Sequence, residues 1–187
     1  MTIPVAKAGE QSLLMKIGYP AVVSMLEQKL SRVTRLIPKT FTTAVVVIIP
    51  FDSRPSVSPD DGLVLIEPFP ERSNLSKVSR DKAINDTRAL GMTELDGRGG
   101  ITAVVFRSRI LNDGPVAVEQ LTNAVIHELA HAKSGLTEPM HDANPRGILA
   151  KDGATPGRNF IDSDAQWLSK YLGKQIVFEM KYFSGAK

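Results

Sequence analysis

Six consecutive apolar residues, Ala44, Val45, Val46, Val47, Ile48 and Ile49, run unbroken up to Pro50. The run is rich in β-branched side chains, which fit a pleated strand, and it is too short for a typical helix. A half-buried strand alternates apolar and polar residues, whereas an unbroken run points apolar groups both ways and needs cover on both faces. The segment Thr42 to Pro50 therefore predicts a sheet with other elements on each side. Two further strands are expected at Leu63 to Ile66 and Ile101 to Phe106, bounded by the turn-forming pairs Asp61-Gly62 and Gly99-Gly100. Ile176, Phe178 and Tyr182 hint at a last strand within Gln175 to Phe183.

Helices alternate with these strands. From Pro20 to Pro38, residues Val22, Met25, Leu26, Leu30, Val33 and Ile37 recur at spacings of three and four, with Lys29, Arg32 and Arg35 off the stripe on what reads as a solvated face. A short helix is expected within Ser79 to Leu90, inside the otherwise polar and punctuated stretch Pro68 to Gly100. Asp113 and Pro115 look like a helix start, and Val118, Leu121, Thr122, Val125 and Leu129 share one face down to the capping Gly135. A turn-rich stretch, Pro139 to Gly157, precedes a capped helix over Asp162 to Leu172. The class is α+β (α/β), one domain over residues 1–187, since a chain of this length supports one core. Residues 1–18 are a candidate N-terminal arm and residues 175–187 a C-terminal strand or arm.

Composition removes several chemistries. With no cysteine there are no disulfides, thiolate zinc sites, iron–sulfur clusters or cysteine nucleophiles. The net charge of +3 is smaller than a nucleic-acid groove normally concentrates on one face, and no aromatic stacking platform accompanies Lys29, Arg32, Arg35 and Lys39. Gly97, Gly99 and Gly100 surround Arg98 but lead into a strand, whereas a phosphate cradle opens a helix. No 18-residue apolar span is present, and Lys16 interrupts the nearest N-terminal apolar run, so no signal peptide is read and a cytoplasmic or virion-associated location is expected.

The chemistry lies in His127-Glu128-Leu129-Ala130-His131, an HExxH inside the expected helix. Positions four apart on a helix lie about 40° apart around the axis and one turn up, so both imidazoles can reach one metal ion. Glu128 projects from an adjacent sector, where a carboxylate can accept a proton from an activated water without being a ligand. A hydrolytic zinc site takes three protein ligands. His141 is the leading third, with Glu138 and Asp142 as competitors, and all three histidines of the chain fall between positions 127 and 141. Two histidines four apart also occur as ordinary hydrogen-bonded helix residues; the third histidine and the small or polar neighbours Asn123, Ala124 and Ala130 favour the metal.

On these residues the chain resembles the metzincin zinc peptidases, and most of all their compact matrixin-like members. The likeness runs from Ile101 to Leu111, through AVIHELAHAKSGL and HDANPRGIL, His141 to Leu149, into FIDSDAQWLSKYLG, about 75 residues in all. It implies a mixed twisted sheet with packed helices, an active-site cleft, zinc held by His127, His131 and His141, and Glu128 as general base. Two departures stand out. Nine residues separate His131 from His141 where the family has five, a lengthening that loop-closure entropy tolerates at about 0.6 kcal/mol per doubling. Leu149 occupies the position of the family's methionine, which packs beneath the metal and does not ligate it. Asp142 resembles an aspartate that fixes this turn in some branches, and is otherwise a loop carboxylate in water. Trp167 and Tyr171 read as core or cleft wall.

The resemblance implies a zinc-dependent endopeptidase acting on a peptide or protein substrate held extended against the sheet. The cysteine through which many relatives are kept latent has no counterpart. The alternative is a non-catalytic structural or assembly protein, such as a phage virion component, that keeps the fold and docks through its terminal arms.

Overall fold

A computed structural model of the chain describes residues 19–36, 42–48, 62–67, 69–73, 75–95, 101–110, 115–134, 140–153, 157–170 and 176–182. The helices are α1 (Tyr19–Leu36), α2 (Lys77–Asn85), α3 (Pro115–Ser134), α4 (Met140–Ala143) and α5 (Asp162–Leu168). The strands are β1 (Thr42–Ile48), β2 (Gly62–Glu67), β3 (Gly91–Leu95), β4 (Ile101–Phe106) and β5 (Ile176–Tyr182). They form one five-stranded sheet in the order β3-β4-β2-β1-β5. Helix and strand are thus mixed in the coarse α+β manner expected.

The pairings β1/β2, β1/β5 and β2/β4 are parallel, while β3 runs antiparallel to β4 along one edge. Strand β1 lies inside the sheet with a parallel strand hydrogen-bonded on each side; the placement of its side chains, and with it the cover expected on both faces, lies outside the described residues. Residues 1–18, read as an arm, also lie outside them. Residues 176–182 are a strand paired residue by residue with β1, from Thr42 opposite Ile176 to Ile48 opposite Tyr182, and so are not a free arm.

Side-chain alternation divides the sheet between two cores. Val64, Ile66, Ala103 and Val105 face the main core, which α1, α3 and α5 complete with Val22, Leu26, Leu30, Leu121, Leu129, Trp167 and Leu168. Leu65, Val104 and Phe106 face the opposite way and meet Leu75 and Ala83 of the α2 region, with Met92 of β3 packed beside them. The N-terminus of α2 is fixed by β3. Glu94 accepts from the Ser76 backbone N–H at 2.6 Å and from the Ser76 hydroxyl at 2.7 Å, while that hydroxyl accepts from the Ser79 N–H.

Three expectations need correction. Strand β3 falls where only polar loop and a short helix were expected; in GMTEL the two apolar residues, Met92 and Leu95, are three apart and do not alternate, and pairing with β4 makes the strand. The helix expected over Asp162 to Leu172 stops at Leu168, with a turn at residues 169–170. Helix α3 was read as burying one face, yet every residue from Gln120 to Ala130 is buried, because the helix is enclosed by β2, β3 and β4 on one side and α1 on the other.

Lys29 also leaves the solvated face assigned to it. Its ammonium donates to Asn123 Oδ1 at 2.7 Å and lies 3.8 Å from Glu119, bolting α1 to α3, and partial burial lowers its pKa against the opposing pull of Glu119. The side chains of Arg32 and Arg35, and Lys39, lie outside the described residues. Among the described residues no helix is long and apolar enough to cross a membrane.

Leu26 is fully buried in the main core while Val78 on α2 is 78% exposed. Leu26→Ala is therefore expected to cost about 2–5 kcal/mol in urea unfolding, and Val78→Ala less than about 0.5 kcal/mol. Equal costs would contradict this assignment of the core.

Candidate metal centre

Helix α3 carries His127, Glu128 and His131 out of the core, and the short helix α4 returns His141 to them. The three imidazoles form a near-equilateral triangle. Ring centroids are 5.0 Å apart for His127–His131, 5.1 Å for His127–His141 and 4.9 Å for His131–His141. One ligand atom from each lies within 4.8 Å of the others, close enough to hold a single metal ion. The spacing of four along α3 does what was expected of it, and the longer excursion before His141 does not prevent the third ring from arriving.

Ring orientation is set by the backbone. His127 Nδ1 lies 2.8 Å from the carbonyl oxygen of Ile148, and His141 Nδ1 lies 2.9 Å from that of Leu149. A carbonyl can only accept, so in both rings Nδ1 carries a proton and Nε2 is the nitrogen left to face a metal. Such ties fix tautomer and direction in metal-binding histidines and raise the basicity of the ligating nitrogen.

The turn supplying those carbonyls is held by a residue that the sequence reading passed over. Asp164 of α5 is wholly buried, and its carboxylate accepts from the N–H groups of Ile148 (3.0 Å), Leu149 (3.3 Å) and Ile161 (3.0 Å). The Leu149 N–H and the Ile148 carbonyl belong to one peptide unit. A negative charge at its N–H end therefore polarises it toward His127 at the other end, as hydrogen bonds in series do. Gly147 makes this possible, since a Cβ there would collide with the Asp164 carboxylate. The available sequence signal was an acidic residue three positions into a helix, where it can reach back to the preceding N–H groups.

Glu128 is 5% exposed. Its Oε2 accepts from the Thr93 hydroxyl on β3 at 2.5 Å. Burial raises its pKa to about 8 in the metal-free protein, against the opposing hydrogen bond from Thr93. Burial likewise lowers His127 to about 4, with the Ile148 carbonyl pulling the other way and His141 adding to the fall. His131 falls to about 3 through burial and then the proximity of His127 and His141. Both are thus neutral at pH 7, the state in which imidazole binds a metal.

The other residues singled out by the sequence separate clearly. Glu138 and Gly135 lie outside the described residues, as does Tyr171. Asp142 is exposed in α4. Leu149 is fully buried, and Trp167 is buried in the main core, in keeping with packing roles. Asn123 is buried between Lys29 and the Arg158 carbonyl, which its side-chain amide meets at 3.1 Å.

No family model, curated protein or solved structure gives a significant match to the chain.

The donor set is one that a divalent metal fits: three converging imidazoles, two of them oriented by backbone carbonyls. Asp164→Asn and Gly147→Ala should each loosen the turn at 147–149. Zinc affinity measured by competition with a chromogenic chelator is expected to fall about 10- to 100-fold in each, with a stability loss of about 1–3 kcal/mol. Unchanged affinity in both variants would remove the turn from the account.

The same shifts set how stability of the metal-free protein depends on pH. His127 and His131 titrate near 6.5 when unfolded but near 4 and 3 when folded, so their contribution is present above pH 6.5 and is lost as pH falls toward 3. Glu128 titrates near 4.5 unfolded and 8 folded, so its contribution is lost as pH rises from 4.5 to 8. Two protons outweigh one below 6.5, placing the maximum contributed by these groups near pH 6.5. Chemical unfolding at a series of pH values should show a decline from 6.5 to 8 that Glu128→Gln abolishes.

Proposed function

We propose that the chain is a zinc-dependent peptidase of the metzincin kind, with zinc on His127, His131 and His141. The observation that carries this reading is the pairing of the oriented imidazole triangle with a buried carboxylate, Glu128, one residue along the same helix. A metal that only staples a fold needs the ligands; it has no use for a desolvated carboxylate on the residue next to one of them. The fully histidine, cysteine-free donor set suits zinc.

When bound, zinc would supply the Lewis acidity that polarises a peptide carbonyl and acidifies a water. The chain's own work falls to Glu128. Its carboxylate accepts the proton of the attacking water as the new C–O bond forms, then returns it to the amine nitrogen as the C–N bond breaks. Strand β3 lies at the sheet edge and touches Glu128 through Thr93, so an extended peptide added alongside it would bring its backbone to the carboxylate.

The test combines metal analysis with cleavage of a quenched peptide library. Zinc is expected at one ion per chain, and cleavage at neutral pH should fall at least about 100-fold in Glu128→Gln while zinc binding is kept. Stoichiometric zinc with no cleavage by either protein would point instead to a structural or assembly role, and failure to take up zinc on reconstitution would overturn the reading altogether.

A further inference from the structure

Strand β3 alternates between two tasks. Met92 and Glu94 face the α2 side, where one packs against the smaller core and the other caps the helix. Gly91 and Thr93, two residues apart, face α3 on the other side. Both meet Glu128. A Cβ at Gly91 would lie 2.6 Å from Glu128 Oε1 and 2.7 Å from its Cγ, so any side chain there would displace the carboxylate. Thr93 takes the other oxygen: its hydroxyl donates to Oε2 at 2.5 Å and lies 3.3 Å from the Glu128 main-chain carbonyl. One carboxylate oxygen is therefore seated over bare backbone while its twin is tethered.

We infer that Thr93 is a positioning residue for Glu128, its hydroxyl and the bare backbone at Gly91 together fixing the rotamer in which the carboxylate meets the attacking water. The inference rests on the reading of Glu128 as proton acceptor and deepens it. Glu128 sits on a helix, and its side chain has rotatable bonds that would let an untethered carboxylate take up other positions. The tether comes from the opposite element, the sheet edge, and so couples the position of the carboxylate to that of the strand. A hydroxyl both donates and accepts, so the contact can persist after Glu128 has taken up the water's proton. In that state the acid donates to Thr93 Oγ1, and the Thr93 hydroxyl is free to turn to the main-chain carbonyl already 3.3 Å away. Neither a valine nor a backbone group alone could serve both forms.

The experiment compares Thr93→Val, which keeps the shape and removes the hydroxyl, with Thr93→Ser, which keeps the hydroxyl, in zinc-loaded protein. Thr93→Val is expected to lower kcat about 10- to 100-fold with KM and zinc affinity within about twofold, while Thr93→Ser stays within about threefold of wild type. Thr93→Ala, which lacks the hydroxyl and adds no bulk, should follow Thr93→Val. A second readout needs neither metal nor turnover. In protein labelled with ¹³C at glutamate side chains, the carboxyl resonance lost in Glu128→Gln should shift in Thr93→Val and return in Thr93→Ser. An unmoved resonance in Thr93→Val, or equal losses of kcat in Thr93→Val and Thr93→Ser, would overturn the inference. A responsive resonance in a protein that cleaves no peptide would support the tether and refute the peptidase reading alone.

Discussion

The backbone at residues 147–149 is strung between one buried carboxylate and two imidazoles, and the centre depends on that arrangement. Asp164 draws in the N–H groups of Ile148 and Leu149; their carbonyls then face outward to His127 and His141. A buried carboxylate is costly unless several donors converge on it, and this one gathers three backbone N–H groups from two segments. Withdrawing any partner leaves another unsatisfied. The directions of two histidines on different elements are thereby referred to a single anchor on α5, which itself packs into the main core through Trp167 and Leu168.

The second constraint is the enclosure of α3. A helix whose residues Gln120 to Ala130 are all buried sets Glu128 in a desolvated sector and holds His127 and His131 one turn apart. Polar residues inside this enclosure are matched to partners. Asn123 bridges Lys29 and the Arg158 carbonyl, and the Thr122 hydroxyl donates to the Val118 carbonyl at 2.7 Å. The helix is consequently fixed both to α1 and to the segment that leads into α5, so the elements contributing to the centre share one frame.

Much of this was legible in the sequence because it depends on local spacing. The stripe Val22, Leu26, Leu30 marks α1, the β-branched run marks β1, and the interval of four between His127 and His131 states that two rings share a face. His141 could be nominated because the chain has only three histidines. What could not be read is non-local. Nothing in GMTEL announces a strand until β4 lies beside it, and nothing in FIDSDAQWL says that Asp164 reaches the backbone of Ile148 and Leu149, 16 and 15 positions away. Lys29 was misplaced for the same reason: periodicity tells which face it occupies, but the acceptor that draws it inward is Asn123, 94 residues later.

The position of β5 in the sheet carries a consequence for how the molecule is made. β1, early in the chain, gains its second neighbour only when residues 176–182 pair with it in parallel, across more than 130 intervening positions. Parallel pairings of such high contact order form slowly. The histidines of the triangle and their aspartate anchor all precede that strand in the chain, so they are synthesised before β1 can gain its second neighbour, and the apolar run of β1 has one edge unpaired until it does.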